Sequence, residues 1–227
     1  MSFGPGKLLP LHRAIIKQYK LEVSRFNKGE LEWSSKELES LKKGIRLSLR
    51  EQQDMRCVFC RRIIKTERRN ATEDIEHFLD KSKSFYRKWA FSPVNLAIAC
   101  HPCNMQKSTR DMGDAAIASA RGLTADAGNY KWLHPYFDDY YENIEIHKGW
   151  VYTIKHKAPQ ADRARKMIKD CMLDCIQTIE KRSVSRTDRL ARLHDLAFRS
   201  YKANRQERAE KLMLVSRNLL GSAWMDI

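Results

Sequence analysis

The chain has 227 residues, with 43 Lys and Arg against 28 Asp and Glu, a formal charge of +15. That length fills one sizeable core or two modest ones, and so large a basic surplus points to polyanionic partners, because each neutralised phosphate releases counterions. The opening Leu8-Leu9-Pro10-Leu11-His12-Arg13 breaks too early for a signal-peptide core. No apolar run approaches the ~18–20 residues of a membrane span. The expectation is a cytoplasmic chain, where thiols stay reduced and paired cysteines read as metal ligands rather than disulfides.

Four stretches follow in order. Residues 1–56, net +5, form a helical brace. Leu11, Ile15 and Tyr19 share one face over 11–25. After the Asn27-Lys28-Gly29 break, a serine cap at Ser34-Ser35 starts a second helix to about Arg50, with Leu38, Leu41, Ile45 and Leu49 at helical spacing. Residues 57–112 are the chemical core, and the charge over 57–110 is +6. Two Cys-x-x-Cys knuckles and a basic arm from Arg61 to Arg69 flank two strands, Asp74–Phe78 and Asn95–Ala99. A long loop joins the strands across 79–94, and a helix runs from Asn104 to about Met112. Residues 113–160 are a small-residue loop and then a hairpin, with 143–147 and 150–154 around Lys148-Gly149. Net charge over 111–160 is −2, which makes this stretch a poor phosphate-facing surface. Residues 161–227, net +6, are a basic helical region. Its stripe of Ile168, Cys171, Met172, Cys175, Ile176 and Ile179 is followed by a last helix over about 187–220. Cys171 and Cys175 read as small core residues in that stripe.

The chemistry is concentrated in the second stretch. Cys57, Cys60, Cys100 and Cys103 fill the tetrahedron of one Zn²⁺, leaving no open position, so this zinc is structural. Its contribution, of order 10 kcal/mol, rescues a hairpin too small to fold unaided. Glu76-His77 divides two tasks between neighbours: the carboxylate holds a hard divalent ion while the imidazole takes a proton from water. Successive strand residues point to opposite faces, so both reach one site only if the strand bends or ends there.

Cys57-x-x-Cys60, Ile75-Glu76-His77-Phe78, Asn95-Leu96 and Cys100-x-x-Cys103-Asn104-x-x-Lys107 together resemble the HNH endonuclease motif of the ββα-metal superfamily. The resemblance covers residues 57–110. It implies an α+β fold in which a zinc-stabilised ββα-metal (HNH) core is embedded in a mainly helical chain. It also implies roles by position: His77 the general base, Asn95 the catalytic asparagine that orients the base and its loop. Glu76 and Asn104 would be ligands of a catalytic Mg²⁺ or Mn²⁺, and Lys107 a phosphate contact. Asn104 stands where many relatives have histidine, and an amide oxygen suits magnesium or manganese better than zinc. The family's proline after the histidine is replaced by Phe78-Leu79-Asp80, and Asp80 reads as a turn cap rather than an added ligand. The implied activity is metal-dependent hydrolysis of DNA phosphodiesters, leaving 5′-phosphate and 3′-hydroxyl ends. Trp132-Leu133-His134-Pro135-Tyr136 with Asp138-Asp139 resembles a segment of small bacterial anti-phage HNH nucleases of the Septu and retron type, implying a defence effector with an ATPase partner. The alternative is a non-catalytic, zinc-dependent nucleic-acid-binding module.

Overall fold

A computed structural model describes residues 3–67 and 70–221. They form a mixed α+β protein, dominated by helices, whose strands make only two-stranded sheets. Two compact units are present: residues 3–146 with 152–174, and residues 147–151 with 175–221.

The first unit opens with α1 (Arg13–Gln18) and α2 (Lys20–Asn27), interrupted at Tyr19 where the spacing predicts one continuous helix. A 3-10 turn at Lys36–Leu38 leads into α3 (Glu39–Gln52). Ser35 does not cap it: its hydroxyl accepts from the Glu32 amide at 2.9 Å and closes the preceding turn instead. The apolar spacing holds, because Leu38, Leu41, Ile45 and Leu49 are fully buried. Each contributes roughly 1.5–3 kcal/mol of hydrophobic stabilisation.

The chain then makes a short hairpin, β1 (Thr66–Glu67) with β2 (Asn70–Ala71), and enters β3 (Glu73–His77). Arg68 and Arg69 of the expected basic arm lie outside the described residues. The stretch expected as loop, 79–94, contains a 3-10 helix at Ser84–Trp89. Arg87 ties it to the N-terminal region by donating to the Phe26 and Leu31 carbonyls at 3.0–3.2 Å. β4 (Leu96–Cys100) pairs antiparallel with β3, from Glu73↔Cys100 to His77↔Leu96. α4 (His101–Lys107) follows at once. It starts inside the second knuckle, not after it, and ends at Ser108, whose φ of 45° breaks the helix.

Gln53, just past α3, fastens that helix to the sheet. Its amide oxygen accepts from Ile98 N at 2.7 Å and its amide nitrogen donates to Ile98 O at 2.8 Å, so the side chain mimics a strand along β4. At the other end, buried Glu73 binds Arg50 at 2.6 Å and Arg46 at 3.3 Å.

The expected loop over 113–130 carries α5 (Ala115–Ser119), capped by Asp114. α6 (Tyr140–Asn143) leads into the expected hairpin, β5 (Ile144–His147) and β6 (Val151–Ile154), where Gly149 takes φ 81°. α7 (Ala161–Asp170) stops at Met172, which is left-handed and half exposed. The expected continuous apolar stripe is therefore broken there. α8 (Leu173–Lys202) and α9 (Gln206–Gly221) replace the single last helix, with a left-handed Asn204 between them. In the second unit they bury Ala197, Ser200, Ala209 and Ser216, and His194 Nε2 lies 2.6 Å from Ser216 Oγ.

Candidate metal and nucleic-acid site

The two knuckles meet because the β3–β4 register carries Cys100 to the strand end nearest the first knuckle, where Val58 N donates to Ile98 O at 3.0 Å. The ligand atoms of Cys57, Cys60, Cys100 and Cys103 all lie within 4.8 Å of one another, and Cys60 Sγ is 3.8 Å from Cys100 Sγ. A tetrahedral zinc thiolate with Zn–S near ~2.3 Å has S···S edges near ~3.8 Å, so the cluster fits such an ion. Contact with Cys100 pushes the Cys60 and Cys103 thiols up, since neighbouring sulfurs share protons that a divalent cation would replace.

The first knuckle closes through Arg61, whose amide donates to Cys57 O at 3.0 Å with φ at 60°. Its buried guanidinium stacks over Tyr140 at 4.1 Å. Tyr140 and Tyr152 hydroxyls donate to the Phe59 and Cys60 carbonyls at 2.9 and 2.6 Å. These supports come from the third stretch and carry no sequence signal. Cys171, a core residue by its helical spacing, is buried, and its thiol also hydrogen-bonds Cys103. His101, inside the second knuckle, points away and meets Asp74 Oδ2 at 3.0 Å.

Glu76 and His77 lie on opposite faces of β3, as strand geometry requires. On one face, Glu76 is buried against α4, with its Oε1 2.5 Å from Lys107 Nζ. Burial pushes its carboxyl up, and Lys107 opposes that shift. Lys107, expected at a phosphate, is turned inward. It is 1% exposed and also donates to the His77 carbonyl at 2.8 Å. The early start of α4 turns this residue toward the sheet, where a buried carboxylate and a carbonyl replace water. On the other face, the His77 ring packs edge-on to Trp33, with centroids 4.4 Å apart. Burial holds its pKa well below the ordinary value, so the ring is neutral. It hydrogen-bonds the Ala90 backbone, whereas Nε2 is buried and has no hydrogen-bond partner among the described residues. The proton is therefore assigned to Nδ1 and the lone pair to Nε2.

Asn95, just before β4, ties down the loop after β3. Its oxygen accepts from Leu79 N at 2.7 Å, and its amide donates to Leu79 O and Trp89 O at 3.1 and 3.0 Å. It fixes the loop that follows His77 without lining the open surface. Asp80 caps its own turn, accepting from Ser82 N at 2.9 Å and Ser82 Oγ at 2.6 Å.

Asn104 meets a carboxylate that belongs to no motif in the sequence. Its amide donates to Asp74 Oδ2 at 2.9 Å. Both residues line a cleft of about 520 Å³, with Trp33, Lys42, Lys43, Arg46 and Lys81 on its walls. Asp74 and Ile75 reach it from opposite faces of β3, so it runs along the edge that β4 leaves unpaired. Burial lowers the Lys81 pKa, and Asp80 and Glu76 act against that shift. Alternation in the strand places Asp74 beside Glu76 on one face, which is the available signal. Trp33 and the cations of α3 give none, because their nearness to β3 is a tertiary fact.

No protein-family model, curated protein or solved structure matches this chain. Among the described residues no helix is long and apolar enough to cross a membrane. The four-cysteine cluster, able to hold an ion such as zinc, is the firmest functional feature.

Proposed function

We propose that the chain is a zinc-fastened endonuclease of the HNH type, hydrolysing DNA phosphodiesters. The observation that carries this reading is the buried neutral His77. Its Nε2 lone pair has no partner among the described residues, and one ring away, across Trp33, lies a basic cleft floored by Asp74 and Asn104. His12 and His134 are also buried with ring nitrogens that have no hydrogen-bond partner among the described residues; His77 differs in ending β3 and packing on Trp33, which lines that cleft. The order of β3, β4 and α4 around the cysteine cluster is also what the resemblance calls for.

Two oxygen donors on the cleft, a partly exposed Asp74 carboxylate and the Asn104 amide oxygen, fit a hard cation. Such ions accept one or two carboxylates and fill the remaining positions with water and substrate phosphate. Glu76, expected as a ligand of that ion, is turned onto Lys107 and does not line the cleft, so Asp74 takes its place. Mg²⁺ or Mn²⁺ bound there would supply charge neutralisation at the phosphate. The chain's own residues do the rest. His77 Nε2 accepts a proton from water, and the Nδ1 contact with Ala90 keeps that tautomer. Asn95 holds the following loop still. Trp33 covers the imidazole and must swing aside, or admit a water, before the base meets substrate.

Plasmid nicking with added Mg²⁺ tests this. His77→Ala lowers cleavage by roughly 10²–10⁴ while DNA affinity stays at the wild-type level; the thermal midpoint falls, because a buried ring packed on Trp33 is lost. Cleavage at the wild-type rate by that variant overturns the assignment. The Glu76–Lys107 pair favours one second reading: a carboxylate neutralised by its own lysine suits a zinc-dependent binding module without catalysis. Wild-type protein that binds DNA and never nicks it would decide for that module. The defence role and ATPase partner rest on the resemblance of residues 132–139 alone. In the fold that segment is packing: Trp132 Nε1 donates to Asp170 and the Tyr136 hydroxyl to the Leu96 carbonyl.

A further inference from the structure

We infer that α3 is one wall of the nucleic-acid cleft, and that Lys42, Lys43 and Lys81, with Arg46 behind them, form a clamp for phosphates flanking the one beside Asp74 and Asn104. The inference deepens the proposed function and rests on its nucleic-acid substrate.

The amphipathic pattern of α3 is the starting point. Its apolar positions Leu41, Ile45 and Leu49 are fully buried, which fixes the face it turns to the core, while Leu47 is exposed. The stripe flanking that face, Glu39, Lys42, Lys43 and Arg46, then falls at helical spacing along the cleft wall. Lys81 enters the same cleft from the loop after β3. Lys42 Nζ and Lys81 Nζ lie 5.7 and 5.3 Å from the Trp33 ring centre, so the indole gathers two ammonium groups from different chain segments. Lys42 is also fixed by donating to the Trp33 carbonyl at 2.8 Å. Arg46 spends part of its charge on buried Glu73.

Four cations from two chain segments thus face one cavity whose acidic members are Glu39 and Asp74. Concentrating like charge in a walled cleft costs free energy in the free protein, and a polyanion recovers it. The cleft follows an open strand edge, and its cations lie along α3, which suits a run of phosphates better than a single anion. Trp33 packs against Phe91 and His77 and has both lysine ammonium groups near its ring, so it positions those cations and does not serve as a base-stacking platform.

The test is fluorescence anisotropy of a labelled DNA duplex across a KCl series, without added divalent cation. Removing one phosphate-binding cation should reduce the slope of log K against log[salt] by about 0.9 and weaken binding about fivefold at 0.15 M salt. Lys42→Gln/Lys43→Gln/Lys81→Gln is expected to bind roughly 100-fold more weakly, with a slope smaller by about two to three. Lys17→Gln/Lys20→Gln, exposed on α1 and α2 away from the cleft, should weaken binding far less. Lys43→Gln alone, an exposed side chain, should weaken binding about fivefold with an unchanged thermal midpoint, and so keeps the test decisive if the triple variant does not fold. An unchanged slope in Lys43→Gln and the triple variant overturns the clamp, whether or not the protein cleaves. Competition by poly-glutamate as strong as by DNA also overturns it, in favour of an acidic polypeptide. A reduced slope in variants of a protein that never cleaves supports the clamp and removes only the nuclease reading.

Discussion

Lys107→Met separates a buried ion pair from a phosphate-binding lysine. In the wild type the ammonium is enclosed, on the Glu76 carboxylate and the His77 carbonyl. Removing it leaves Glu76 buried without a counter-charge. An uncompensated buried carboxylate takes up a proton rather than remain ionised. Holding a group of ordinary pKa 4.5 protonated at pH 7 costs about 1.4 kcal/mol per pH unit over roughly 2.5 pH units, or about 3.4 kcal/mol. The missing hydrogen bond to His77 O adds about 1 kcal/mol. A buried pair broken on one side costs about 3–5 kcal/mol, in agreement. The thermal midpoint should therefore fall by roughly 10–15 °C at pH 7. The sign with pH is fixed. In the variant the folded pKa of Glu76 lies above the unfolded one, so the unfolded state binds fewer protons between the two values. The penalty is thus greatest above the folded pKa and shrinks as pH falls toward 4.5. At pH 5 the protonation share is about 0.7 kcal/mol. Glu76→Gln/Lys107→Met should recover most of the loss at pH 7, because no buried charge remains. Thermal melts of the three proteins at pH 5 and 7 read all of this. A Lys107→Met protein that melts like wild type at both pH values, and whose DNA binding shows one phosphate's worth less salt dependence, would refute the buried pair.

Other outcomes follow from the cysteine cluster and a second histidine. Metal analysis should find one zinc per chain in wild type and none in Cys103→Ser, which should lose the fold of the first unit; a folded, zinc-free Cys103→Ser protein would make the cluster dispensable. Cys171→Ala, outside the tetrahedron, should keep its zinc. His12 is enclosed with no hydrogen-bond partner for either ring nitrogen among the described residues, and burial brings its pKa down to about 4. The unfolded chain takes up that proton at the ordinary value of 6.5, so stability falls as pH drops from 6.5 to 4, by about 3 kcal/mol from this residue. His12→Leu should flatten that limb of a urea-midpoint-against-pH curve, and an unaltered limb would show that His12 is protonated in the fold.

The sequence made the cysteine tetrahedron legible because each half is local. A Cys-x-x-Cys turn is set by its own backbone, and one antiparallel pairing joins the halves. The α3 core positions were legible for the same reason: spacing alone selects the buried face. Ser35 misled because a serine hydroxyl bonds backward as readily as forward, and here Glu32 N took it. Lys107 misled because a shift of a few residues in where α4 begins rotates every later side chain about the axis. That phase is not written in the residues themselves: a lysine stands three positions after Asn104, but nothing local says whether water or Glu76 receives it. Trp33 and the cleft lysines were illegible, since only the packing of α3 through Gln53 and Glu73 brings them beside β3.

That packing explains why neighbouring residues of opposite face can belong to one site. Glu76 looks toward α4 and His77 toward Trp33, and neither side chain lines the cleft itself. The strand ends at His77, and the cleft runs past its open edge, so ligands entering there have access to both faces at once. Asp74, two residues before Glu76, already opens onto the cleft from the Glu76 face, and Ile75 does so from the His77 face. A cation on the Asp74–Asn104 side and a water on the His77 side would therefore meet at the strand edge, with the phosphate between them. Trp33 would then control access on that reading, since it packs on the imidazole and also lines the cleft. The indole is held by Phe26 and Phe91, and the Lys42 and Lys81 ammonium groups lie 5.7 and 5.3 Å from its ring centre. On the proposed nuclease reading, substrate binding at the clamp and exposure of His77 would be one event, and the ring would stay shielded from solvent until a nucleic acid is in place.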